Sequence, residues 1–277
     1  MGMRISTNVS AISSQRALTG STREIQKSMA QLSSGSRITK SADDAAGLAI
    51  SENLKSQIRS MSQAGRNAND GISMIQTAEG GLSEISNILT RLRELGIQAS
   101  SDTIGDTERV MIDKEVQQLK SESQRIAATT KFGTQKLIDG TGGTFDFQVG
   151  IYNNEVEDRI SYRAGDADAS ASNLGIEGFD FSTKDGAQDA LSILDQAQST
   201  VNGFRANLGA LQNRLESTVS NANIMHENLS AANSRIRDTD VAQATSEMVR
   251  NNILLQASTS TLAQANQVPG LAMKLIA

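Results

Sequence analysis

The chain has 277 residues, a net charge of -5, 38% hydrophobic and 3% aromatic content, one histidine, no tryptophan and no cysteine. Disulfides, zinc–thiolate centres and thiol nucleophiles are therefore excluded. The acidic balance, with no basic stripe carrying interleaved aromatics, excludes a nucleic-acid binder. Ala, Leu and Ile dominate the apolar content, which suits long helices packed side by side rather than a large aromatic core. No run reaches the ~18–20 apolar residues of a membrane-spanning helix.

At the N-terminus, MGMRISTNVSAISSQRA lacks a continuous apolar stretch, which argues against a cleaved secretory signal. Ala11, Leu18, Ile25 and Leu32 recur with a seven-residue period and predict a first helix. From Met1 to Thr22 only Arg4 and Arg16 are charged. A second, long helix is predicted from Asp44 to Ser100: Met61, Ala68, Ile75, Leu82 and Leu89 share one heptad position, and Ile58, Ile72, Ile85 and Leu92 fill the adjacent seam. Its glycines, Gly65, Gly71, Gly80 and Gly81, each cost up to ~1 kcal/mol relative to Ala. They are tolerable where they allow close helix approach. After a break at Ser100 to Gly105, Asp106 or Thr107 is the expected cap of a third helix with the stripe Ile112, Val116, Leu119 and Ile126.

The chain changes character at Lys131. Every aromatic except Phe204 lies between Phe132 and Phe181. Gly133, Gly140, Gly142 and Gly143 interrupt the segment, then TFDFQVG alternates and sets Phe145, Phe147 and Val149 on one side. With a turn at Asn153–Asn154 and a second alternating run at Ile160 and Tyr162, this predicts a β-hairpin with loops around it. From Thr183–Ala187 onward, Leu194, Ala197, Val201, Phe204, Leu208, Leu211, Leu215, Thr218, Ala222, Met225, Leu229, Ala232 and Ile236 alternate steps of three and four. They predict one helix of ~50 residues, or ~75 Å. Val241, Met248, Leu255 and Leu262 continue with a seven-residue period, and Pro269 with Gly270 is expected to end or kink that last helix. From Asn251 to Ala277 only Lys274 is charged.

The expected architecture is mainly α: a long antiparallel helical bundle or coiled coil with a small β-hairpin region in the middle. It divides into a discontinuous terminal coiled-coil domain (1–43 and 236–277) and a helical rod domain (44–235) that contains the hairpin and loops of 131–182. Ends with matching periods can pair antiparallel. Their uncharged outer faces point to burial against other copies, because small polar groups desolvate more cheaply than charges. Such ends order on assembly. Catalysis has no candidate residues. His226 lies in MHEN, which is not HExxH, and no second His or Cys could complete a metal site or a triad. Asp43 and Asp44 read as helix N-terminal charges, and GTGG and EGG lack the lysine and flanking strand of a phosphate loop. The expectation is a non-enzyme with no cofactor and no metal.

Long strings at both ends resemble the bacterial flagellins. LSSGSRITKSADDAAGLAIS at Leu32–Ser51 and QAGRNANDGISMIQTAEGGLSEI at Gln63–Ile85 are similar to that family's signatures, as are ATSEM near Ala244 and LAQANQVPG at Leu262–Gly270. The resemblance covers about the first 140 and last 95 residues; between them only FQVG matches. It implies a short flagellin without a large inserted domain: a subunit that self-assembles into the flagellar filament for swimming. The alternatives are a hook–filament junction protein, which shares the terminal helices, and a soluble coiled-coil adaptor, whose terminal helices would carry more charge. The resemblance further implies export through the type III apparatus to an extracellular filament and a chaperone on the C-terminal segment Asp240–Ala277. Cap and junction proteins are the other implied partners. Ala11, Leu18, Ile25, Leu32, Val241, Met248, Leu255 and Leu262 are the expected packing seams. TRLRELGIQ at Thr90–Gln98 is similar to the segment by which Toll-like receptor 5 recognises many flagellins, departing from it at Thr90, Leu92, Gly96 and Ile97. On this resemblance Arg91, Leu95 and Glu115 are candidate receptor contacts. The charges of Arg91, Arg93 and Glu94 also suit contacts between subunits.

Overall fold

The computed structural model describes residues 7–276, with side chains described to residue 267. In chain order it contains α1 (Val9–Ser34), α2 (Ala45–Ala99), α3 (Asp106–Thr129), β1 (Lys131–Phe132), β2 (Gln135–Lys136), β3 (Thr144–Gln148), β4 (Arg159–Arg163), a 3-10 turn (Ala164–Asp166), α4 (Lys184–Arg237) and α5 (Val241–Ile276). This is the mainly helical fold expected from the heptads. It resolves into two compact units, Met1–Gln57 with Asn228–Ala277, and Ile58–Glu227.

The core of the Ile58–Glu227 unit is built from the predicted seams. Ala68, Ile75, Leu82, Ile85, Leu89 and Leu92 of α2 join Val116 of α3 and Leu194, Ala197, Val201, Leu208 and Leu215 of α4 in one buried cluster. Phe204 and Leu211 pack against it, while Met225, on the same predicted stripe, is 43% exposed. Of the four glycines weighed on α2, two serve close approach. A Cβ on Gly71 would meet the Phe147 ring at 3.0 Å, and one on Gly81 would meet Thr130 Oγ1 at 2.6 Å and Ile138 Cδ1 at 2.9 Å. Gly65 and Gly80 have nothing within 4 Å, so the same explanation does not extend to them.

The predicted hairpin is present as β3 and β4. Phe145 pairs with Tyr162 and Phe147 with Ile160, and the Phe145 and Tyr162 rings stack at 6.1 Å. Tyr162 donates its hydroxyl to the Leu137 carbonyl at 2.8 Å, and burial pushes its pKa up to about 12. A second hairpin was not expected. Lys131–Phe132 pairs with Gln135–Lys136 across a turn at Gly133 and Thr134. Gly133 has φ +61, the left-handed value such a turn favours. Strands of two residues are too short to show alternation, so no periodicity marks this pair. The strand-free chain after the 3-10 turn is held down by apolar side chains: Ala167, Ala169, Ala171, Leu174, Ile176, Phe179 and Phe181 are all buried.

The cap of α3 departs from expectation. Its N-cap is Gly105, without a side-chain hydrogen bond, and Asp106 lies in the first turn. Buried Arg109 does the tying instead. It donates to the carbonyls of Ala99 at 2.8 Å and Ser101 at 2.9 Å, and to Asp106 Oδ1 at 2.8 Å. The terminal carbonyl of α2, at Ala99, is thereby satisfied by the next helix.

In the unit formed by the chain ends, α1 lies antiparallel to α5. Asn8, the N-cap of α1, donates to the Ala265 carbonyl at 2.8 Å, and Ser36 bridges Asp238 at the other end of the pair. Gly35 closes α1 at φ +67, and Arg37 N donates to the Arg237 carbonyl at 2.6 Å while Thr239 N donates to the Gly35 carbonyl at 3.0 Å. Asp44 Oδ1 accepts from Gly47 N at 2.8 Å at the start of α2. Ser51 donates to Asn233 Oδ1 at 2.9 Å and Arg237 pairs with Glu52. Pro269 and Gly270 do not end α5, which runs through them to Ile276.

The adjacent glycines of α2 give a paired test. Gly81→Ala is expected to destabilise the fold by about 1–3 kcal/mol through overpacking, and Gly80→Ala to stabilise it by about 0.5–1 kcal/mol. Urea denaturation of both variants checks the opposite signs.

Candidate assembly surfaces

The stripe that α1 turns toward α5 comprises Ala11, Ser14, Leu18, Ser21, Ile25, Ser28 and Leu32, every one at least half-buried. On α5 the matching stripe is Ala244, Met248, Asn251, Leu255, Ser258, Leu262 and Ala265. Both alternate one large apolar residue with one small or polar residue, at steps of three and four. The small members, which apolar counting alone overlooks, let the helices lie close together. Seven of the eight expected seam residues fall on these stripes. Val241, the first residue of α5, is 62% exposed and stands outside them.

The other faces of the pair carry exposed apolar residues as well. Val9, Ile12, Met29, Val249, Ile253 and Leu254 are all exposed. Around them, hydroxyls are satisfied by their own helices. Thr19 and Thr22 donate to the carbonyls of Gln15 and Leu18 at 2.9 Å, and Thr245 and Thr259 donate to those of Val241 and Gln256 at 2.7 Å. A hydroxyl already bonded to the helix backbone loses little when covered. The exposed apolar residues can therefore be buried by another apolar face, provided that Arg16, Arg23, Glu24, Lys27 and Arg250, exposed on the same two helices, stay outside the contact or are paired within it.

On the Ile58–Glu227 unit, α2 and α3 share an exposed charge cluster. Arg91 donates to Glu115 Oε1 from Nη2 at 2.8 Å and from Nε at 3.1 Å, and to Glu94 Oε2 at 3.1 Å. The Glu115 and Glu94 hydrogen bonds raise the Arg91 pKa further above its ordinary value. Arg93 faces α4 instead and pairs with Asp195 at 2.6 Å, which lowers the Asp195 pKa. Leu95 belongs elsewhere. It is 2% exposed and part of the core cluster, so it supports the surface from beneath rather than forming it. Gly96 sits where a Cβ would meet Leu191 Cδ2 at 3.1 Å and the Phe181 ring at 3.3 Å, a close packing of α2 on α4.

Like Arg109, a second buried cation escaped sequence reasoning. Lys120 on α3 donates to the carbonyls of Phe179 and, at 3.3 Å, Glu177, and its Nζ lies 4.1 Å from the centroid of the Phe179 ring. Desolvation lowers its pKa, opposed by Asp113, Asp180 and Glu177. Only the tertiary fold brings residues so distant in sequence together. His226 is half-buried on α4. Among the described residues, no group of three or more His, Cys, Asp and Glu could hold a metal ion, and no helix is long and apolar enough to cross a membrane.

Lys120→Met keeps the stem but leaves the two carbonyls without their donor. It is expected to cost about 1–3 kcal/mol, whereas Arg91→Ala, which breaks an exposed pair, is expected to cost less than about 1 kcal/mol. Thermal unfolding of the two variants checks the order.

Residues 5–142 match the family model for the bacterial flagellin N-terminal helical region, and residues 191–276 match that for the C-terminal helical region. The chain is 44% identical to a flagellin of Halalkalibacterium halodurans, over 99% of this chain and 100% of that protein. It is 35% identical to flagellin B of Vibrio cholerae, with both chains fully covered over 375 aligned positions, so that relative carries residues this chain lacks. Among solved structures, the crystal structure of Bacillus cereus flagellin matches at a TM-score of 0.51 and 30% identity, covering 57% of this chain and 88% of that one.

Proposed function

Because the chain belongs to the bacterial flagellin family, as a short member without a large insert, we propose that it is the structural subunit of a flagellar filament, whose assembly is driven by burial of the faces that the α1–α5 pair leaves open. The protein is not an enzyme; its work is mechanical. The observation that carries this reading is the apolar, charge-poor outward surface of the terminal pair, with its hydroxyls already bonded to their own helices.

Magnitudes support the same reading. A half-buried Leu contributes about 1 kcal/mol, whereas ordering the backbone costs ~1–2 kcal/mol per residue. One large seam residue per heptad is little to order helices of 26 and 36 residues. Neighbouring copies supply the missing burial, so the ends become fully ordered on polymerisation. On this account residues 1–43 with 236–277 act as the terminal coiled-coil domain and residues 44–235 as the rod. Ala11, Leu18, Ile25, Leu32, Met248, Leu255 and Leu262 form the seam, and Val241 lies at its margin.

We infer the finer assignments from the resemblance alone. The chain is exported without a cleaved signal peptide to an extracellular filament. It is held beforehand by an export chaperone on its C-terminal helix and added beneath a cap, on a base of hook–filament junction proteins. Arg91 and Glu115 serve first as a contact between subunits and, in an animal host, as contacts for Toll-like receptor 5, with Leu95 supporting them from the core.

Electron microscopy of the purified protein left to polymerise should show helical filaments; dispersed monomers under all polymerising conditions would overturn the reading. Deleting Asn251 to Ala277 should leave a soluble chain that keeps the helicity of the rod and forms no filaments. Leu255→Asp combined with Leu262→Asp should likewise reduce seeded elongation to background, and elongation at the unmodified rate would refute the buried seam.

A further inference from the structure

The two hairpins present tips of opposite character. At the β1–β2 turn Lys131 is exposed and has no ion-pair partner among the described residues. Phe132 beside it is 41% exposed, whereas Phe145, Phe147, Phe179, Phe181 and Phe204 are all at least half-buried. At the β3–β4 tip Val156 is 81% exposed, between Glu155 and Glu157, and Tyr152 is 67% exposed. Glu155 reaches only Arg159, at 3.8 Å, and Glu157 has no ion-pair partner among the described residues.

Neither tip is loose. The Asp158 carboxylate accepts from Asn154 N at 3.0 Å, and Asn154 Oδ1 accepts from Val156 N at 3.1 Å. Gln148 Nε2 donates to the carbonyls of Gly150 at 3.0 Å and Tyr152 at 2.7 Å. At the other tip the turn is fixed by Gly133, and Leu137 N donates to the Thr130 carbonyl at 3.2 Å. A hydrophobic side chain held out from a pre-ordered loop loses little further entropy on docking. Solvent exposure of Val156 and Phe132 is therefore a cost that a partner surface would relieve.

We propose that the Lys131–Phe132 tip of one subunit docks against the Glu155–Val156–Glu157 tip of a neighbouring copy, apolar side chain against apolar side chain, with Lys131 facing the two carboxylates. The proposal deepens the filament reading and rests on it. Charge selects this pairing, since two acidic tips or two basic tips repel. A contact between two different patches of the same chain is heterologous. It does not close into a two-fold dimer, and where the rotation does not close a ring it propagates as an open helix.

Carbodiimide, which forms an amide only between an amine and a carboxylate already in contact, tests this on the unaltered chain. Filaments are polymerised from an equal mixture of unlabelled and nitrogen-15-labelled protein, coupled, digested and analysed by mass spectrometry. The expected result is mixed-isotope peptides joining Lys131 to Glu155 or Glu157, absent from monomer treated in the same way. Filaments that yield other mixed-isotope cross-links but none between these tips would overturn the docking and leave the filament reading standing. Failure to form filaments at all would overturn both. As a second readout, Lys131→Glu should slow seeded elongation about tenfold, with unchanged circular dichroism, and adding Glu155→Lys and Glu157→Lys should restore most of the rate. Equal slowing with and without the compensating pair would count against the contact.

Discussion

The antiparallel meeting of the two chain ends is the constraint on which this molecule's behaviour depends. Neither α1 nor α5 has a partner of its own in sequence, and each presents one stripe in which a Leu, Ile or Met alternates with a Ser, Ala or Asn. Such a stripe buries too little to hold a helix alone. Placed against its counterpart it forms a close pair, pinned at one end by Asn8 on Ala265 and at the other by the bridge of Ser36 with Asp238. What remains is a rod whose remaining faces are also short of charge. A surface of that kind is a liability in a lone molecule and an asset in a polymer.

The unit of residues 58–227 is built on the opposite principle. Its core is continuous, from Ala68 to Leu215, and includes side chains such as Ile75, Leu82, Ile85 and Phe181 with no exposure at all. Its polar interior groups are tied down: Arg109 closes α2, Tyr162 holds Leu137, and Lys120 clamps the chain at Phe179. The contrast allots stability and association to different parts of one chain. A self-sufficient unit stays folded before assembly, while the marginal pair responds to it.

Much of this was legible in the sequence because heptads are long-range regularities. The stripe from Leu194 to Ile236 and the seam from Met61 to Leu92 were each long enough for their period to be unmistakable, and Phe145 and Phe147 alternated clearly enough to mark a strand of the hairpin. The failures have a common physical cause. The β1–β2 pair is too short to carry a period. Arg109 and Lys120 act through backbone carbonyls, which no side-chain motif encodes. Leu95 was a candidate contact on the resemblance alone, and its side chain lies in the core cluster beneath Arg91. Ser14, Ser21 and Ser28 were passed over because a seam is usually counted in apolar residues, yet Ser28 is 3% exposed. Gly71 and Gly81 do allow close approach, but of the hairpin residue Phe147 and of Thr130 and Ile138 rather than of another helix.

Amide hydrogen exchange, compared between monomer and filament, bears most directly on the division of labour between the two units. Ile58–Glu227 should be strongly protected in both states. Val9–Ser34 and Val241–Ile276 should exchange quickly in the monomer and gain protection by orders of magnitude in the filament. Protection of the chain ends in the monomer equal to that in the filament would contradict the account, because the pair would then need no neighbours to be stable.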